Sequence, residues 1–223
     1  QFGAADVNDV VAIGSKAVRG TLTAAASGTV AIGTQALDAL TSGAANTAIG
    51  YKCMVTSETI AQTVGIGYEV GLTSGTGGSN GVFIGYQAGK DLTAGFDNCI
   101  AIGHSALSGA HSAGAEKMIA IGSSACAGAI AAGPVGTVAV GHQALAALTS
   151  GAGNLAIGYF ALSQHTTGSR NIAIGYGAMD GTAGDADDAP ASIDNIFIGY
   201  DAGGGNWEDD EDSNYNVGIG NYC

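Results

Sequence analysis

One phrase constrains this chain more than anything else in it: Asn171-Ile172-Ala173-Ile174-Gly175-Tyr176 recurs, lightly varied, from one end to the other. With the glycine as phase marker, copies fall at Gly14, Gly33, Gly50, Gly67, Gly85, Gly103, Gly122, Gly141, Gly158, Gly175, Gly199 and Gly220. The intervals are 19, 17, 17, 18, 18, 19, 19, 17, 17, 24 and 21 residues. A period held across the whole chain, with slack taken up in loops, is the mark of a solenoid, in which each coil buries its apolar face only against its neighbours. Residues 1–223 therefore read as a single repeat domain without an internal boundary.

Within each copy, the residues three before and one before the glycine are branched or apolar in almost every case, as in Val30 and Ile32 or Ile100 and Ile102. Between them stands Ala or Gly, with Phe83 and Phe197 as exceptions. Alternation with a period of two predicts a short strand whose branched side chains share one buried face. Gly at the mark permits a corner with positive φ. The apolar pairs that follow, such as Ala36-Leu37, Ala106-Leu107, Ala144-Leu145 and Ala161-Leu162, predict a second short strand. The expected architecture is all-β: a parallel β-solenoid of about twelve coils of 17–24 residues, two strands each, advancing about 4.8 Å per coil to a rod of roughly 55 to 60 Å. Its assembly ladder is Ile13, Ile32, Ile49, Ile66, Ile84, Ile102, Ile121, Val140, Ile157, Ile174, Ile198 and Ile219.

Asn46, Asn154, Asn171, Asn195 and Asn216 come four before their glycines. They are expected to bond the backbone of their own turn or to stack as an internal ladder. Two acidic insertions lengthen the late coils, at 180–194 and 203–214. They carry Asp185, Asp187 and Asp188 in the first, and Glu208, Asp209 and Asp210 in the second. These are the candidate Ca²⁺ ligands, although they match neither the EF-hand spacing nor the Gly/Asp nonapeptide of calcium-binding rolls. A solvated acidic loop is the simpler reading, and no cofactor is expected.

Six Lys and Arg against 19 Asp and Glu give a net charge of −13, which argues against nucleic acid and anionic membranes as partners. No run approaches the roughly 18 apolar residues of a membrane span, so no membrane insertion is expected. Cys53, Cys99, Cys126 and Cys223 are too far apart for a disulfide framework or a paired metal motif. Three read as small apolar fillers, and Cys223 as the candidate for a bond between subunits. His104 and His142 share a column but are two coils, about 9 to 10 Å, apart, too far to ligate one zinc. His111 and His165 fall in loops. The scattered cations supply no clustered bases for polysaccharide cleavage, and the chain is not expected to be an enzyme.

The residue after each glycine forms its own column, including Tyr51, Tyr68, Tyr86, Tyr159, Tyr176 and Tyr200. Two three-residue tyrosine ladders would stack along the rod, or offer ring faces to a glycan or a neighbouring subunit.

The core phrase, legible in Asn46 to Tyr51, Val138 to Gly141 and Asn171 to Tyr176, resembles the head repeats of trimeric autotransporter adhesins and related phage tail-fibre proteins. The likeness covers essentially the whole chain, though these coils are longer and nothing resembles the stalk or membrane anchor of such adhesins. It implies a left-handed parallel β-roll, an extracellular or cell-surface setting, and a role in sticking or building; Gln1 would then be a processed N-terminus. Joining Cys223 of one copy to Gln1 of the next would give an interval of 3 + 14 = 17 residues between Gly220 and Gly14, a spacing already present inside the chain. The functional expectation is a structural subunit of an extracellular fibre that stacks head to tail with itself. The alternative is an adhesin or tail-fibre head, homotrimeric, that binds glycan or host protein through the tyrosine column or the late loops.

Overall fold

The computed structural model describes residues 9–71, 78–92, 96–109, 116–130, 135–181, 192–205 and 213–223. Each copy of the repeat phrase contributes one three-residue strand: β1 (Val11–Ile13), β2 (Val30–Ile32), β3 (Thr47–Ile49), β4 (Val64–Ile66), β5 (Val82–Ile84), β6 (Ile100–Ile102), β7 (Ile119–Ile121), β8 (Val138–Val140), β9 (Leu155–Ile157), β10 (Ile172–Ile174), β11 (Ile196–Ile198) and β12 (Val217–Ile219). They form a single parallel sheet in strict sequence order. Register is equally strict, with Val11 opposite Val30 and Ile13 opposite Ile32, and so on to Ile198 opposite Ile219. The protein is a parallel β-solenoid, and the expected Ile ladder lies in spatial register from end to end.

The ladder faces the opposite way from the sequence expectation. From β2 to β11 the middle residue of each strand is the buried one: Ala31, Ala48, Ala101, Ala120, Ala139, Ala156 and Ala173 are fully inside. The end strands β1 and β12, with a covering coil on one side only among the described residues, leave theirs exposed or half-buried. The branched residues on either side point outward and are half-buried or exposed, up to 57 % at Ile13 and 71 % at Ile219. The reason is volume. A coil of this length encloses a narrow interior in which Cβ-branched chains on the strand would collide with side chains arriving from the rest of the coil, so the small residue turns in.

Those arriving side chains come from the apolar pairs after each glycine, such as Ala36-Leu37 and Ala144-Leu145, all fully buried. Here the expectation of a second strand is also corrected. The pairs do bond from coil to coil: Gln35 N–H donates to the Ser15 carbonyl at 2.9 Å and Leu37 N–H to the Cys53 carbonyl at 3.0 Å. Their backbone is nevertheless not extended, because alternate residues sit in the left-handed region, as at Gln35 (φ 61°), Leu37 (φ 49°), Gln143 (φ 55°) and Leu145 (φ 52°). Each such residue costs about 1 kcal/mol or more, a strain sustained by the burial and hydrogen bonds repeated in every coil. The result is a curled segment that folds its Leu back over the strand, leaving one strand per coil among the described residues.

The marker glycines are dictated by the same crowding. Gly103 has φ 136°, and a Cβ built on it would lie 2.5 Å from the carbonyl oxygen of Gly122 in the next coil. Only glycine permits both the dihedral and the approach.

Where an aromatic ring enters the interior, the sequence makes room within the same coil. Phe83 replaces the usual Ala, and Gly89 stands four residues past the mark, where most coils carry Leu, Met, Val or Cys and only Gly71 and Gly203 are also Gly; a Cβ on Gly89 would meet the Phe83 ring at 2.6 Å. Phe197 and Gly203 repeat the exchange, at 2.7 Å. Phe83 also packs edge-on against Phe96, with ring centroids 5.0 Å apart.

The asparagines do both things expected of them. Asn171 and Asn195 are fully buried and Asn154 nearly so. Asn171 Nδ2 donates to Asn154 Oδ1 (3.2 Å), Asn195 Nδ2 to Asn171 Oδ1 (3.0 Å) and Asn216 Nδ2 to Asn195 Oδ1 (3.0 Å). Asn46 Nδ2 also holds its own turn, donating to the Gly43 carbonyl at 3.0 Å, and the amides reach the turn of the next coil, Asn171 donating to the Ser192 carbonyl and Asn46 to that of Ile60. Thr29 and Thr137 occupy this column one coil before Asn46 and Asn154, and their buried hydroxyls have no hydrogen-bond partner among the described residues. The amide oxygens of Asn46 and Asn154 serve the following coil instead, accepting from the backbone N–H groups of Thr63 and Asn171.

Candidate assembly and binding surfaces

Because strand side chains alternate, placing Ala inside necessarily sets two parallel rows of Val, Ile and Leu on the outside of the sheet. The tyrosine column lies next to them, one residue beyond the glycine. Tyr51, Tyr68 and Tyr86 stack with centroids 5.3 and 5.1 Å apart, and Tyr159, Tyr176 and Tyr200 at 5.1 and 5.2 Å. Each expected three-ring ladder is in fact a stack of four. His104 continues the first at 5.0 Å from Tyr86, and His142 begins the second at 4.9 Å from Tyr159. The tyrosine rings of these stacks are 41 to 50 % exposed. Ser123, between the two histidines, is the break. The ring spacing is the coil rise made visible.

Lys52 adds a cation over the Tyr51 ring at 5.3 Å. Two other cations pair across coils: Arg19 with Asp38 at 2.8 and 3.0 Å, and Arg170 with Asp194 at 2.7 and 2.8 Å. The Arg170 pair holds the Asp194 carboxyl below the usual carboxylate range.

The cysteines behave as fillers where they are buried. Burial pushes the Cys53 and Cys126 thiols up to about 12 and the Cys99 thiol to about 11, so none is a ready nucleophile or metal ligand. Cys223 is exposed and free. His165 is buried, within 3.4 Å of Asn171 Nδ2, and desolvation lowers it to about 4. His111 and the candidate Ca²⁺ ligands Asp185, Asp187, Asp188, Glu208, Asp209 and Asp210 lie outside the described residues. Among the described residues, no group of three or more His, Cys, Asp or Glu could hold a metal ion, and no helix is long and apolar enough to cross a membrane.

At the axial face beyond β12, a cavity of about 500 Å³ opens between Phe197, Gly203, Gly204, Ser213, Asn216, Val217, Gly218 and Cys223. Phe197, at 8 % exposure, is the most exposed of the aromatic residues in the core cluster.

A second recess, of about 410 Å³, lies on the flank and is lined by Gln143, Ala146, Phe160, Ser163, Gln164 and Asp180. Sequence reasoning missed it. The available signal was Phe160, an aromatic two residues past the glycine, in a column that carries residues such as Lys52, Glu69 and Gln143 and only one other aromatic, Tyr222.

A scan of protein-family models, a search of curated proteins and a search of solved structures each returned no match to the chain.

Proposed function

We propose that this protein is a structural subunit of an extracellular fibre, assembled by stacking of solenoid ends and by lateral burial of the outward face of its sheet. The observation that carries the reading is the outward Val/Ile face itself. Twelve strands at about 4.8 Å make it about 55 Å long, and with a width of about 10 Å its area is of the order of 500 Å² before the tyrosine column is added. Contiguous apolar surface of that extent is at the upper end of what a soluble monomer exposes, and patches of that size often serve as partner surfaces. A partner that shares the 4.8 Å repeat matches it rung for rung, and a second copy of this chain is such a partner.

Axial stacking would carry from one protomer to the next the in-register parallel pairing that every strand makes with its neighbour inside the chain. Asn216 would offer its Oδ1 to the next coil as Asn171 and Asn195 do within the chain. The resemblance to adhesin head repeats agrees with an extracellular, non-catalytic role.

Electron microscopy and sedimentation of the purified chain test the proposal. Fibres that lengthen with concentration, and that dissociate in an Ile102→Lys, Ile121→Lys variant or fail to elongate in a Val217→Pro variant, are the expected result. Discrete monomers at all concentrations, with both variants indistinguishable from the parent, would overturn it.

A second reading has its own support. The exposed, parallel ring stacks suit recognition of a glycan or a host protein by an adhesin head, in which the Val/Ile face would close a homotrimer. Uniform trimers in sedimentation, with binding lost on Tyr159→Ala and Tyr176→Ala, are its signature.

A further inference from the structure

Phe160 is not explained by the fold. The interior is packed without it, since it is absent from the buried core cluster. Its φ of 59° is that of its whole column, as at Lys52 (φ 52°) and Gln143 (φ 55°), so the backbone sets the direction of the side chain and leaves its size free. Its ring is half-buried and stands edge-on to Tyr159 (centroids 4.3 Å, 78°) and to His142 (5.6 Å, 66°). It thereby forms one wall of the flank recess, beside the second aromatic stack.

The rest of the lining is polar apart from Ala146: Gln143 and Gln164 bring carboxamides, Ser163 a hydroxyl and Asp180 a carboxylate. Asp180 stands close to Asp201 on either side of Gly177: a Cβ on that glycine would meet Asp180 Oδ2 at 3.3 Å and Asp201 Oδ1 at 3.4 Å. Two carboxylates so placed repel an anion.

An aromatic wall rimmed by flat donors and acceptors fits a ligand with an apolar C–H face and hydroxyls around its edge. The volume falls in the range of about 300–1,000 Å³ usual for small-molecule sites. We propose that the recess walled by Phe160 binds one uncharged pyranose ring of a glycan, its C–H face on Phe160 and its hydroxyls on Gln143, Gln164, Ser163 and Asp180. The site stands apart from the Val/Ile face, so a fibre subunit would display it once per protomer along its flank. The proposal holds whichever assembly the chain adopts.

Saturation-transfer NMR of the full chain with cellobiose, maltose, lactose and di-N-acetylchitobiose tests it, with digalacturonic acid as the anionic control. Two variants use residues that the same columns already accept: Phe160→Gln, after Gln143, and Ala146→Arg, after Arg19. Both should keep the parent's circular dichroism and Tm. Transfer to at least one neutral disaccharide, weakened about tenfold in either variant, with none to digalacturonate, is expected. The inference is overturned by no transfer to any neutral disaccharide at about 10 mM, or by binding that survives both variants. It is equally overturned by binding that disappears only in Tyr176→Ala, which would locate the contact on the ring stack. Fibre formation is read separately by microscopy, so either reading can fail without the other.

Discussion

The two sides of a single coil obey different rules. Inside, a strand position takes Ala, Gly or a Phe matched by a compensating Gly, and nothing else occurs in twelve strands. Outside, the neighbouring positions exchange Val, Ile, Leu and even Thr47 freely. The interior is bounded on every side by backbone, with the glycines of successive coils in mutual contact, so volume there is fixed. The exterior is bounded by solvent or by a partner, so it asks only for β-compatible side chains. Hydrophobic character is therefore a poor guide to which side is in; size is the better one.

That contrast is sharpest at Phe83. Phe83→Ala should cost about 3–5 kcal/mol by leaving a cavity, and adding Gly89→Leu should recover much of the loss by restoring the pair used in four other coils, as at Ala101 and Leu107. Urea unfolding of the two singles and the double measures the coupling. Strictly additive effects would show that the exchange of Phe for Leu within the coil is coincidental.

Gly103→Ala comes next, at about 3 kcal/mol, for a dihedral reserved to glycine and a Cβ aimed at the next backbone. A loss below about 1 kcal/mol would mean that successive coils can slide apart to admit a methyl group.

The interior should also respond to acid between pH 7 and 4. His165 titrates at about 4 in the folded protein and near 6.5 when unfolded. The unfolded chain therefore binds the extra proton first as pH falls. The stabilisation is fully present above pH 6.5 and is lost as pH drops toward 4, by up to about 3 kcal/mol. Denaturation midpoints between pH 7 and 4 should fall more steeply in the parent than in His165→Gln; equal slopes would remove His165 as the cause.

Smallest is the outward substitution. Ile121→Thr, which copies the Thr47 already present on the same sheet face, should change stability by no more than about 0.5 kcal/mol, measured by thermal unfolding of dilute protein. A loss above about 2 kcal/mol would reveal that the Val/Ile face is already packed within one chain.

The repeat spacing was enough to read the stacking, the parallel order, the register and the amide column. Each follows from one phrase returning at nearly fixed intervals. The sequence signal misled where two elements compete for one space. Alternation of Val-Ala-Ile announces two faces without saying which is interior, and the choice falls to the Leu of the curled segment, which takes the room first. The second strand was misread for a related reason: Gln35 to Leu40 has apolar residues at suitable spacing and makes hydrogen bonds to both neighbouring coils, but left-handed dihedrals at non-glycine residues leave no mark in composition. The stacks of Tyr and His were visible as a column, whereas the recess at Phe160 was not, because its lining comes from three coils whose positions on the curl are set by that same irregular backbone.

By itself, then, the sequence determined that this chain repeats, that its coils lie one over another in parallel, and that its glycines mark the corners, since these are properties of spacing. Tertiary structure alone decided which side of the strand meets the core, and that Phe160, Gln143 and Asp180 border one recess. Those outcomes depend on how much volume a closed coil leaves inside, and only the closed coil can set that.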